Sequence, residues 1–90
     1  MPIRKVLQEL GIEERGNYSK DESYVIDLPD SDTFGKIYSK LDKNDDVEYL
    51  EDNSLLTVNN ASMYYRYDDV QITLIADFLN DEYKVVANRV

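Results

Sequence analysis

The clearest structural signal in the chain is the stretch VQITLIADF, which occupies residues 70–78. Every second side chain in it is apolar, from Val70 to Phe78, and the positions between are mostly polar. A period of two residues is typical of a β-strand with one face in a core and the other partly in solvent. We therefore predict a strand over residues 70–78 whose apolar face packs against helices.

The same period extends on both sides of this stretch. It predicts four further strands in the second half of the chain, over residues 47–51, 54–58, 63–67 and 83–90. Short breaks rich in Asp and Asn separate them, at residues 52–53, 59–60, 68–69 and 80–82. Such breaks favour consecutive antiparallel hairpins.

The first half of the chain combines helical and extended patterns. Apolar residues recur at helical spacing from Ile3 to Leu10, before Gly11, and again from Phe34 to Leu41, after possible capping residues Ser31 and Asp32. Residues 23–28 alternate as a strand that Pro29 ends, and residues 12–22 have no clear period, so we expect a surface loop. We predict one α+β domain over residues 1–90, an antiparallel β-meander of four to six strands packed on one side by one or two short helices.

The composition excludes several kinds of chemistry. The 90 residues include 19 acidic and 10 basic side chains, for a net charge of -9, with no His and no Cys. Zinc sites built from Cys and His, disulfides, thiol nucleophiles and Ser-His-Asp triads are therefore excluded. The three glycines form no phosphate-binding motif. No apolar run approaches 18 residues, so we expect a cytoplasmic protein without a membrane partner.

Metal, catalytic and nucleic-acid sites are poorly supported. Asp42, Asn44, Asp46 and Glu48 have the spacing of a calcium loop, but the sixth position is Val47 and the twelfth is Asn53. The two carboxylates nearest to apolar strand positions, Asp27 and Asp77, are expected to face solvent, so no catalytic pair is predicted. The aromatic stretch at residues 63–67 could stack on single-stranded nucleic acid, but it contains one cation and precedes two aspartates. We expect no metal, no cofactor and no enzymatic activity.

The acidic residues are concentrated in one part of the chain. Residues 42–82 contain 11 acidic and two basic side chains. Because consecutive hairpins place alternate turns at the same end of a sheet, we expect Glu51, Asp52, Asp68 and Asp69 to form one cluster. By the same argument, a second cluster contains Asp45, Asp46, Asp81 and Glu82. We include Glu48 in the candidate binding surface.

Two tyrosines complete the candidate surface, Tyr64 and Tyr67. Tyrosine gives contact area at a low entropic cost and carries a hydroxyl group. Carboxylates on a rigid sheet can imitate nucleic-acid phosphates and occupy a groove lined by Lys and Arg. The expected partner is thus a protein with a basic nucleic-acid-binding surface, and direct binding to nucleic acid is not expected because like charges repel.

In size, charge and α+β make-up, although in no motif, the chain resembles small acidic inhibitors encoded by phages and mobile elements, including anti-restriction and anti-CRISPR proteins. That resemblance implies an inhibitor that blocks a defence nuclease in a host cytoplasm. An immunity protein or antitoxin for a basic nuclease toxin is the first alternative. The second is a structural or assembly subunit, and the protein is expected to be a monomer or a homodimer paired through its final strand, residues 83–90.

Overall fold

A computed structural model describes residues 2–90, which form two helices and seven strands. The elements are α1 (Ile3–Glu9), β1 (Asn17–Tyr18), β2 (Tyr24–Leu28), α2 (Ser31–Asp42), β3 (Glu48–Tyr49), β4 (Leu55–Leu56), β5 (Asn60–Tyr67), β6 (Val70–Asp77) and β7 (Glu82–Arg89). A short 3-10 helix, Glu51–Asn53, lies between β3 and β4. The predicted α+β class is confirmed.

All strands belong to one antiparallel sheet with the order β1-β2-β7-β6-β5-β3, and β4 also pairs with β5. The three long strands β5, β6 and β7 are consecutive hairpins, as the sequence predicts. Strand β2 joins the other side of β7. The final strand is therefore internal, and the prediction that it forms a sheet edge open to a second copy is wrong.

Both helices pack on the same face of the sheet. Helix α2 begins after Asp30, whose carboxylate accepts a hydrogen bond from the Thr33 amide at 2.8 Å. Its buried side chains, Phe34, Ile37 and Leu41, form the predicted apolar stripe. Helix α1 buries Ile3, Val6 and Leu7.

The core lies between these helices and one face of the strands. Alternate residues of β2, β5, β6 and β7 are buried there, so each long strand has the two-residue period expected from its sequence. The buried strand residues are Tyr24, Ile26, Leu28, Ala61, Met63, Tyr65, Val70, Ile72, Leu74, Ala76, Tyr83, Val85 and Ala87. We call the opposite, helix-free surface of the sheet the open face.

The segment between α2 and β5 differs most from its prediction. Instead of two strands joined by a turn at Asp52–Asn53, it contains β3 and β4, two residues each, which pair with the same edge of β5. Between them the chain bulges outward through the 3-10 helix. The Ser54 hydroxyl replaces part of the missing ladder, because it accepts a hydrogen bond from the Tyr64 amide and donates one to the Leu50 carbonyl, both at 3.0 Å.

Two smaller differences from the prediction concern β1 and the start of β5. The loop predicted over residues 12–22 contains the short strand β1, which pairs with the start of β2. Strand β5 begins at Asn60, three residues before the predicted strand. Its first residues are held by pairing with β4 and β6 on either side, and such long-range pairing is not visible in local periodicity.

Candidate protein-binding surface

Carboxylates line the β5 edge of the sheet. Five acidic residues, which we call the acidic edge, occur between α2 and β4: Asp45, Asp46, Glu48, Glu51 and Asp52. All five are exposed. No Lys or Arg occurs in residues 44–65, so this part of the chain provides no compensating charge.

The strand register shows that the predicted grouping of acidic residues is wrong. Glu48 pairs with Arg66 in an antiparallel ladder, so the chain before Glu48 runs toward the β5–β6 turn. Asp45 and Asp46 therefore lie at the same end of the sheet as that turn. The prediction assumed that the chain reverses direction at residues 52–53. The chain does not reverse there, so the residues before this break lie at the opposite end of the sheet from the one predicted.

The other predicted members occupy separate positions. Glu51 and Asp52 lie in the 3-10 helix, midway along the β5 edge. Asp81 and Glu82 lie at the opposite end of the sheet, where Glu82 pairs with Asp77. The structure thus replaces two expected clusters with one acidic edge and two separate acidic turns.

The two turn aspartates between β5 and β6 have structural roles. Asp69 forms an ion pair with Arg89 at 2.6 Å, the only ion pair found among residues 2–90. Asp68 has a positive φ of 56°, and its carbonyl accepts a hydrogen bond from Arg66 Nε at 3.1 Å. Substitutions at these positions would change the turn as well as the surface charge, so they are poor probes of binding.

The candidate tyrosines do not share one surface. Tyr64 is half-buried on the open face, where Arg66 also lies, whereas Tyr67 is half-buried against the core. A residue that the sequence reasoning missed, Tyr49, is 42% exposed within the acidic edge segment. In the sequence, its position between Glu48 and Glu51 was the signal that could have placed Tyr49 in the candidate surface.

The Tyr49 ring is held by the buried Tyr65, with the two ring centroids 5.2 Å apart. Burial raises the pKa of the Tyr65 hydroxyl well above its ordinary value, and nearby Tyr38, Tyr49 and Asp42 raise it further. The neutral Tyr65 ring serves as a packing platform for Tyr49. Tyr49 is thus a positioned aromatic group on the helix side of the acidic edge, next to Glu48 in the chain.

The carboxylates considered for catalysis lie apart from any catalytic arrangement. Asp27 is exposed on the open face and pairs in register with Lys84. Asp77 accepts hydrogen bonds from the Asn80 side chain at 2.7 Å and the Asn80 amide at 3.1 Å, which lower the pKa of its carboxyl group. No group of three or more acidic side chains suited to a metal ion is found in residues 2–90.

Exposed apolar side chains gather at one end of the sheet. We call this set the apolar corner, and its members are Leu55, Leu56, Val58, Phe78 and Leu79. Phe78 was expected on the core face, but it is 47% exposed because β6 ends at Asp77 and the chain turns away. Its ring still contacts the edge of Tyr83, with centroids 6.1 Å apart.

Neither helix of the described chain, residues 2–90, has the length and apolar character needed to cross a membrane. Comparisons with protein-family models, with curated proteins and with solved structures found no match to this chain.

Proposed function

We propose that this protein is a non-enzymatic inhibitor that binds a basic, nucleic-acid-binding surface of a nuclease through its acidic edge. The observation that carries the proposal is the set of five exposed carboxylates along one sheet edge, with no cation in residues 44–65. None of the five takes part in an ion pair among residues 2–90. Glu48 pairs in register with Arg66, which offsets part of its charge, so the other four carboxylates provide most of the attraction to a basic partner.

The strand pairing gives this charge a defined geometry. Strands β3 and β4 are both hydrogen-bonded to β5, and Ser54 ties the intervening bulge to the same strand. Glu48 lies in β3, and Glu51 and Asp52 lie in the bulge that is anchored to β5 on both sides. Carboxylates anchored in this way lose less conformational entropy on binding than those of a mobile loop. Long-range attraction by such a surface accelerates encounter with a groove lined by Lys and Arg.

Inhibition of DNA cleavage by a panel of nucleases tests the proposal. The panel contains a guide-loaded Cas9, a type I restriction enzyme and the nuclease domain of a bacterial toxin. We expect a defence nuclease to be inhibited at a one-to-one ratio, with binding that weakens steeply as salt is raised. Inhibition of the toxin alone would favour the immunity-protein alternative.

Charge-neutral variants connect the inhibition to the acidic edge. The combined variant Asp45→Asn, Asp46→Asn, Glu51→Gln and Asp52→Asn is expected to raise the half-inhibitory concentration by about tenfold or more through slower association. The control, Glu9→Gln with Glu13→Gln, removes exposed acids outside the edge and is expected to change it by less than about twofold. Absence of inhibition throughout the panel, or equal effects of both variants, would overturn the proposal.

A further inference from the structure

The apolar corner surrounds one end of the sheet, where two turns are joined. The Phe78 amide donates a hydrogen bond to the Asn59 carbonyl at 2.8 Å, and Asn60 pairs with Asp77. The turn between β4 and β5 and the turn between β6 and β7 are therefore side by side. Leu55 and Leu56 precede the first turn and pair with Ser62 and Ala61, so Leu55 lies on the open face and Leu56 on the helix side of the same edge.

The side chains of the apolar corner are highly exposed, although Leu55 and Leu56 are held by backbone pairing. Val58 is 93% exposed, Leu79 is 74% exposed, and the two leucines of β4 are more than 60% exposed. Such side chains contribute little to the core. Exposed apolar side chains grouped at one place with a polar rim are typical of a surface that another molecule covers.

The charges around the apolar corner identify the kind of molecule that fits it. Glu51 and Asp52 precede it in the chain, Asp77 borders it, and Asp81 and Glu82 follow. Arg66 lies near the other end of β5, and Lys84 of β7 pairs with Ile75, two residues from the Asp77–Glu82 pair, so the rim of the corner remains mainly acidic. A complementary partner presents apolar side chains flanked by Lys or Arg.

A second copy of the chain is a poor occupant. Each copy has a net charge of -9 and would bring the same acidic rim against itself. The apolar corner is also continuous with the acidic edge, because β3, the 3-10 helix and β4 follow the same edge of β5. One partner could therefore cover both surfaces.

We infer that the apolar corner is the anchor of a docking surface for a basic protein, and that its occupant is an apolar side-chain cluster flanked by cations. This inference rests on the proposed function and names the chemistry of the partner. Charge attraction to the acidic edge sets the association rate, whereas burial of the apolar corner sets the dissociation rate. The second contribution is not weakened by ionic screening.

Two synthetic peptides test the chemistry without requiring the natural partner. One has a Leu-Phe-Leu centre between runs of lysine, and the other has a Ser-Ser-Ser centre with the same lysines. We expect the leucine peptide to bind about tenfold more tightly or better, and to shift the NMR signals of residues 55–59 and 78–80. The serine peptide should shift mainly the signals of the acidic edge. Equal affinities, or no shifts at the apolar corner, would overturn the inference.

Variants of the protein at exposed positions of the apolar corner provide a second test. Val58→Ser with Leu79→Ser is expected to abolish the preference for the leucine peptide and to speed dissociation from an inhibited nuclease about tenfold, with unchanged association. The control Val90→Ser removes an apolar side chain that is 66% exposed at the opposite end of the sheet. The affinities of this variant for the leucine peptide and for the nuclease should be unchanged. Circular dichroism verifies the fold of each variant.

The remaining outcomes separate the inference from the proposed function. If the leucine peptide binds at the apolar corner but no nuclease is inhibited, the proposed function fails and the docking chemistry stands. If a nuclease is inhibited equally by the protein and by its Val58→Ser, Leu79→Ser variant, the inference fails and the proposed function stands. A dimer in light scattering that the same variant abolishes would identify a second copy as the occupant and overturn the assignment to a basic partner.

Discussion

Ser54 compensates for missing backbone pairing at the β5 edge. Its hydroxyl bonds to both the Tyr64 amide and the Leu50 carbonyl, in a partly buried position. Ser54→Ala would leave the Tyr64 amide without this partner, and an unsatisfied buried donor costs about 1–3 kcal/mol. We expect urea denaturation to show a free energy of unfolding lower by about 1–2 kcal/mol, together with faster hydrogen exchange at Tyr64.

Ser62→Ala is the matched control for this prediction. Ser62 is half-buried on the same strand, and its side chain has no hydrogen bond among residues 2–90. Its removal should change the free energy of unfolding by less than about 0.5 kcal/mol. Equal losses in the two variants would show that the Ser54 hydroxyl does not support the edge.

Asp30 gives the protein a specific response to acid. Hydrogen bonds from the Thr33 amide and hydroxyl lower the pKa of its carboxyl group below the ordinary value of 3.8. The unfolded chain then binds the proton more readily than the folded protein does. The stabilisation from Asp30 is thus fully present above its ordinary pKa and is lost as the pH falls through the lower folded-state value.

The variant Asp30→Asn checks this sign, because asparagine keeps a capping oxygen but does not titrate in this range. We expect the Tm difference between the protein and the variant to be constant from about pH 5 to 7 and to shift against the protein below about pH 4. Thermal unfolding followed by circular dichroism measures it. A difference that stays constant down to about pH 2, or an Asp30 pKa above 3.8 by NMR, would contradict the prediction.

At the scale of the elements, two glycines differ in the space available for a side chain. A methyl group added at Gly35, within α2, would meet no atom within 4 Å. Gly35→Ala should therefore raise the free energy of unfolding by about 0.5–1 kcal/mol, since alanine loses less backbone entropy in a helix.

Gly16→Ala is expected to have the opposite effect. Gly16 lies so close to β2 that an added methyl carbon would overlap the Val25 carbonyl oxygen. The backbone must then move, which we expect to lower the free energy of unfolding by about 1–3 kcal/mol. Chemical denaturation of both variants measures the two effects, and a change of the same sign in both would refute this account of the packing.

Elements with enough periodic residues could be predicted from the sequence, and very short ones could not. Strands β6 and β7 and helix α2 each bury alternate or helically spaced side chains, so their faces follow from the pattern. Strands β3 and β4 contain two residues each, and their location depends on hydrogen bonds to β5. Local sequence does not encode those distant bonds.

The candidate surface was predictable to the same extent. Charge alone indicated that Glu51 and Asp52 are exposed, but their spatial neighbours depended on whether the chain reverses beside them. The apolar corner was hidden for a related reason. Phe78 continues the alternation of β6, although the strand ends one residue earlier.

At the scale of the whole molecule, repulsion between the acidic side chains destabilises the folded protein. The protein has a radius of gyration of 12.2 Å, and its net charge of -9 is accompanied by one ion pair among residues 2–90. At about 10 mM salt the Debye length is about 30 Å, so charges across the entire molecule repel one another. This repulsion is strongest in low salt, and a basic partner bound to the acidic edge would weaken it.

Added salt should therefore stabilise the free protein. We expect Tm to rise by several degrees between about 10 and 300 mM sodium chloride, because screening weakens repulsion in the compact state more than in the expanded chain. The acidic-edge variant Asp45→Asn, Asp46→Asn, Glu51→Gln and Asp52→Asn should have a higher Tm in low salt and a smaller rise, as measured by calorimetry. Glu9→Gln with Glu13→Gln, which lies outside the edge, should retain more of the rise. A Tm that is independent of salt in the unsubstituted protein would show that this charge does not strain the fold.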